Sequence, residues 1–142
     1  MNKKLKTGCP FCDNNNKMES YKILDMEYGS IYLNYNQSFL GRCLYIPFDH
    51  YDLFSDIHID KYLDYSKEIF IISDIIQKTM NAKLINIAMM CNQVSHVHWH
   101  IIPRYDGDSN TKNPPWPNNA VQLSKTEINK LKKRILKSFL NK

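Results

Sequence analysis

The stretch His96-Val97-His98-Trp99-His100-Ile101-Ile102-Pro103-Arg104 places three of the chain's five histidines at alternate positions. In an extended strand successive side chains point to opposite faces, so the three imidazoles project from one side while Val97, Trp99 and Ile101 face a core. A sheet gains nothing by lining up groups that titrate near neutrality, and burying them together is costly. The plain alternative is a half-buried strand whose polar face is histidine. Clustering on one face is what acid–base or nucleophilic chemistry requires, and the stretch is therefore read as a reactive strand.

Further strands are expected upstream. Tyr21 to Asp25, Ile31 to Tyr35 and Arg42 to Pro47 are rich in Tyr, Ile and Leu, with Gly29 and Gly41 between them. Lys83 to Met90 and Val94 to Arg104 read as two more, joined around Cys91-Asn92-Gln93. Asp60 is the expected N-cap of a helix running to about Met80, whose apolar face holds Leu63, Ile69, Phe70, Ile72, Ile76 and Met80. Asp106 to Asn119 is dense in Asp, Asn, Gly and Pro and reads as a loop. Ser124-Lys125-Thr126-Glu127 is a capping box, and Ile128, Leu131, Ile135 and Phe139 follow at helical spacing. Strands with helices packed on one face give an α+β fold.

A chain of 142 residues, 43% hydrophobic and 23% charged, suits one soluble domain that needs no disulfides. No apolar run is long enough to span a bilayer, so no membrane association is expected. The basic start lacks the apolar segment of a signal peptide, so a cytoplasmic location is expected. The net charge of +5 suits an anionic ligand. The lysines gather at both ends, as Lys3, Lys4 and Lys6 and then Lys125 to Lys137, which reads as solvated surface rather than a nucleic-acid footprint. Cys9-Pro10-Phe11-Cys12 has the spacing of a zinc knuckle. A redox pair would need a strand before it and a helix after it, and a disulfide suits a different compartment. Two further ligands are required; Cys43 and Cys91 are isolated and read as small core residues, and His58 as surface.

Taken together, Asn92-Gln93-Val94-Ser95-His96 through Arg104, with Cys9-Pro10-Phe11-Cys12, Gly41-Arg42-Cys43-Leu44 and Pro114-Pro115-Trp116-Pro117 in order, resembles the histidine triad (HIT) family, and within it bacterial diadenosine-polyphosphate-hydrolase-like members. The resemblance implies a five-stranded antiparallel sheet with helices, paired into a homodimer. It sets a basic tail at residues 1–7, the HIT domain at 8–118 and a C-terminal amphipathic helix at 119–142.

It also implies attack by His98 on the α-phosphate of a nucleotide, giving a covalent nucleotidyl-histidine. His100 binds the phosphate or helps protonate the leaving group. Asn92 stands where relatives carry a phosphate-contacting amide, Gln93 near the leaving group, Asn86 as a further amide, and Asn34 at the ribose hydroxyls; each Asn is equally at home in a turn. Zinc-containing members complete the metal site with a His after the central strand and the first triad His, here His50 and His96, giving a structural Cys9, Cys12, His50, His96 set. Dinucleoside polyphosphates and nucleoside phosphoramidates fit these residues equally. The rival function is a non-catalytic nucleotide- or nucleic-acid-binding module with a structural zinc.

Overall fold

The apolar run Cys43-Leu44-Tyr45-Ile46-Pro47 forms strand β3 (Cys43–Pro47), buried along its whole length at the centre of a five-stranded antiparallel sheet. In the computed structural model, which describes residues 3–13, 16–108, 112–116 and 119–142, the sheet order is β1-β2-β3-β5-β4. The other strands are β1 (Lys22–Asp25), β2 (Gly29–Leu33), β4 (Leu84–Ala88) and β5 (Trp99–Arg104). Pro117 of the Pro-Pro-Trp-Pro motif, and parts of the basic tail and of the 106–119 loop, lie outside the described residues.

β4 and β5 are shorter than their sequences suggest: β4, expected over Lys83 to Met90, is paired only over Leu84–Ala88, and β5 loses more. Expected from Val94, β5 joins the ladder only at Trp99, opposite Tyr45, with His100 opposite Leu44. Beyond Tyr45 the neighbouring strand runs out at Pro47, and the Pro47 carbonyl accepts from the side chain of His96 at 3.0 Å rather than from a ladder N–H. The 94–98 segment stays outside the ladder, held by Val97 N–H donating to Tyr51 O at 2.9 Å. Alternation survives without it: Val97, Trp99 and Ile101 all enter the core.

Helices α2 (Ile59–Met80) and α3 (Lys125–Leu140) cover the core face of the sheet, and a single turn α1 (Asn16–Glu19) precedes β1. His58, not Asp60, is the N-cap of α2: its imidazole accepts from Asp60 N–H. The buried stripe of α2 is Tyr65, Ile69, Ile72, Ile76 and Met80, with Glu68 among them. Leu63 and Phe70 fall off that stripe and are 50% and 75% exposed, so the helix is apolar on two sides and only one meets this chain's core. The α3 capping box is present, and Ile128, Leu131 and Ile135 are buried against the same core.

Two local devices fix the sheet beside the triad. Gly41 has φ +92°, and a Cβ there would stand 2.8 Å from Met80 Cγ, so both the turn and the contact require glycine. Glu68, buried on α2, accepts from Glu27 N–H at 2.9 Å, from Tyr28 N–H at 3.0 Å and from the Tyr45 hydroxyl. Glu68→Ala strands all three donors and is expected to lower unfolding free energy by about 2 kcal/mol, read from the denaturant midpoint.

Candidate functional site

The metal-ligand set forms first along the chain. Tight turns hold the knuckle: Cys12 N–H and Asp13 N–H both donate to Cys9 O, and Gly8 N–H donates to the Asp13 carboxylate. Cys9, Cys12, His50 and His96 converge, with all four potential ligand atoms within 4.8 Å of one another. Both imidazoles present Nδ1 to the thiols: His96 Nδ1 lies 3.6 Å from Cys9 Sγ and 3.5 Å from Cys12 Sγ, and His50 Nδ1 lies 3.4 Å from Cys12 Sγ. Zn–S and Zn–N bonds of usual length at tetrahedral angles separate N from S by about 3.6 Å. The backs of both rings are also held, since Nε2–H of His96 donates to Pro47 O and Nε2–H of His50 donates to Asp52 Oδ1 at 3.1 Å. A carbonyl or carboxylate behind each imidazole fixes the tautomer that leaves Nδ1 free for a metal. The donor set therefore fits zinc and closes its coordination.

His98 is turned the other way. Its Nδ1–H donates to His96 O at 2.7 Å, because a carbonyl can only accept, and this leaves the Nε2 lone pair free. Phe11, from between the two knuckle cysteines, sets its edge against the His98 ring at 5.1 Å between centroids. His100 is held by a third kind of partner. Arg42 Nη2 donates to His100 Nδ1 at 3.2 Å, so the remaining proton of His100 is on Nε2. Trp116 packs edge-on against His100 and lies beneath the Arg42 guanidinium, at 5.3 and 5.2 Å.

His98 and His100 open into a cavity of about 870 Å³. Of the predicted contact residues, Asn34, Asn92 and Gln93 line it. Asn34 also makes an Asx turn, accepting from Asn36 N–H at 2.8 Å. Asn86 does not line it: its carbonyl accepts from Arg104 Nη1 at 2.7 Å, deep in a cluster with Asp108. Cys43 is core as expected. Cys91 also leans on the core, yet lines the cavity in a left-handed conformation (φ 54°) with Sγ 3.8 Å from His98 Nδ1. Sequence reading gave no role to Arg42, Phe11 or Trp116. The available signal was Arg42, a lone cation directly before an unbroken apolar strand. A second groove of about 610 Å³, between β1, α2 and α3, contains none of the triad.

Burial keeps these imidazoles neutral at pH 7. It holds His98 below the usual histidine range and His96 at about 4. Burial, then the Arg42 charge, holds His100 at about 3. An unfolded His100 takes its proton near pH 6.5, and the folded one not until about pH 3. Its contribution to stability is therefore intact above pH 6.5 and is lost as pH falls toward 3, because the unfolded chain binds the proton first. His100→Gln is expected to flatten the decline in denaturant midpoint between pH 7 and 5 relative to the parent, by at most about 1.4 kcal/mol per pH unit. An equal or steeper acid decline in the variant refutes the assignment.

Comparison with known proteins agrees with this architecture. An uncharacterised HIT-like protein of Methanocaldococcus jannaschii is 29% identical over 105 residues, covering 70% of this chain and 81% of the relative. A zinc-bound histidine triad family protein from Mycobacterium smegmatis superposes with a TM-score of 0.72 at 19% identity, over 94% of this chain and 96% of that one. The diadenosine triphosphate hydrolase of Plasmodium falciparum, in complex with cyclomarin A, superposes with a TM-score of 0.62 at 19% identity, over 87% and 78% of the two chains. These two likenesses concern the fold. The sequence model of the HIT domain matches residues 15–107, from just after the knuckle through the whole triad, and the chain belongs to the HIT domain family.

Proposed function

We propose that this protein cleaves a nucleotide conjugate at its α-phosphate through a covalent nucleotidyl-His98, as a hydrolase or nucleotidyl transferase. The observation that carries the reading is the His98 Nδ1–H bond to His96 O, which leaves Nε2 unprotonated on a ring that lines a cavity together with the side-chain amides of Asn34, Asn92 and Gln93. In the first step Nε2 attacks phosphorus, a P–N bond forms, and the bond to the leaving group breaks with its electron pair. Water or a second acceptor then displaces His98, the acceptor's proton is lost, and Nε2 regains its lone pair. His100 Nε2–H and the amides of Asn92 and Gln93 are uncharged donors for oxygens whose charge grows at the transition state. Asn34 binds the ribose hydroxyls in this reading. The family membership and the likeness to a diadenosine triphosphate hydrolase support the class of reaction.

Zinc would be held by Cys9, Cys12, His50 and His96, and with all four positions taken its role is structural. It would tie the N-terminal segment to the triad strand and keep Phe11 against His98. For the homodimer implied by the resemblance, α2 offers exposed Leu63 and Phe70, and the edge strand β4 offers Ile87. The test is intact-mass analysis after rapid acid-free quenching with a dinucleoside polyphosphate or a nucleoside phosphoramidate. A mass gain of one nucleotidyl group that maps to His98 is expected. Nucleotide binding with neither adduct nor turnover across both substrate classes favours the non-catalytic module instead.

A further inference from the structure

Arg42 is 4% exposed, yet its Nε and Nη1 have no hydrogen-bond partner, and no carboxylate pairs with it among the described residues. A guanidinium stays charged in a protein, and a charge buried without a counter-ion costs several kcal/mol. Local contacts offset only part of that cost: among the described residues one side chain, His100 through Nδ1, accepts from Arg42, and the Trp116 ring lies 5.2 Å from the guanidinium. The chain nonetheless fixes the backbone that carries this cation. Arg42 N–H donates to Phe39 O, and its carbonyl accepts from Asn34 N–H and from the Gln37 amide at 2.9 Å. The same Gln37 accepts from Gly41 N–H and donates to Asn34 O, closing the 34–42 loop around the arginine. A buried cation without a counter-charge, carried on a fixed backbone and lining a cavity, suits an anion that arrives from outside.

Its place relative to the triad says which anion. Because β3 and β5 run antiparallel with Leu44 opposite His100, stepping back from Leu44 to Arg42 moves away from the His98 end of the site. The order along the sheet is metal ligands, His98, His100, Arg42. A phosphorus attacked by His98 meets the His100 Nε2–H donor next, and Arg42 stands one position further on.

We infer that Arg42 binds a second phosphate adjoining the attacked one, so that the substrate is a nucleoside polyphosphate or dinucleoside polyphosphate and the bond cleaved is a phosphoric anhydride. The inference rests on the proposed attack at the α-phosphate and selects between the substrate classes that reading leaves open. A nucleoside phosphoramidate carries one phosphate and leaves the Arg42 fork without its counter-charge. Arg42 also positions His100: by occupying Nδ1 it makes that ring a fixed donor toward phosphate rather than a proton source for the leaving group.

Binding to His98→Ala protein separates this from turnover, with AMP and ADP as probes in calorimetry. ADP is expected to bind at least about 10-fold more tightly than AMP. Adding Arg42→Met is expected to weaken ADP about 10- to 100-fold and AMP less than about 3-fold. Arg42→Gln gives the same comparison should the methionine variant fail to fold. Equal affinity for ADP and AMP in the parent, or an equal loss for both on removing Arg42, overturns the inference. Failure to find a nucleotidyl-His98 adduct would leave this binding difference untouched, so the two ideas fail separately.

Discussion

His98→Ala protein is expected to lose turnover by about 10⁴-fold or more while remaining folded, because the substitution removes the one nucleophile on which the covalent route depends. His98 makes few contacts that the fold needs: its Nδ1–H bonds a carbonyl of its own segment, and its ring meets Phe11. The residues that anchor the same segment in the core, Val97, Trp99 and Ile101, are untouched. The thermal midpoint is expected to move by only a few degrees. The check is kcat on a dinucleoside polyphosphate together with a melting curve and a mass spectrum. Parent-like kcat in well-folded His98→Ala protein would end the covalent reading.

Loss of the metal is expected to be the largest stability effect. Purified protein should hold about one zinc per chain, and Cys9→Ser/Cys12→Ser protein none. The N-terminal segment is otherwise tied down at the surface: Lys4 N–H donates to Asp49, His50 N–H donates to Lys4 O, and Lys6 pairs with Asp52 at 2.7 Å. Asp52 is shared, accepting also from His50 and from the Ser95 hydroxyl; with Lys6 first among its donors, they hold its carboxyl well below the usual carboxylate range. These exposed contacts are individually worth little. Without the ion, two buried imidazoles and two thiols face one another with no common partner. A loss of about 3 to 5 kcal/mol is expected, equivalent to about 10 °C or more in thermal midpoint. Activity should fall about 10-fold as Phe11 leaves the His98 ring. Metal-free native protein, or a melting curve unchanged by a strong chelator, would refute the assignment.

The α+β fold was legible because β-propensity, punctuating glycines and the Ser124 capping box all point one way. The alternation from Val97 to Ile101 located the core face even where no ladder exists. That success also explains the misplaced start of β5: alternation records burial, whereas a strand boundary depends on whether a neighbour offers backbone partners, and here the neighbour ends at Pro47. The N-cap of α2 moved because His58 can accept through an imidazole nitrogen, a role that residue preferences assign to Asp. Leu63 and Phe70 belong to the expected apolar face yet stay exposed, because apolar content along a helix does not say which of two apolar stripes is covered. At the site, the types and spacings of His96, His98 and His100 were legible from one line of sequence. The partners of Asn86 and Arg42 were not, since both depend on side chains that reach across the sheet. Asn86 was spent on Arg104, whose own burial demands acceptors.

The three triad imidazoles are chemically identical, and they differ here in what stands behind each ring: a Pro47 carbonyl, a His96 carbonyl and an arginine. Two of those backings come from the main chain, which substitution leaves in place. The third is a side chain and can be exchanged in a single codon. A substitution at position 42 therefore releases His100 Nδ1 and removes the nearby charge, without altering a letter of the histidine motif. What the third histidine of the motif does is set by a residue outside the motif.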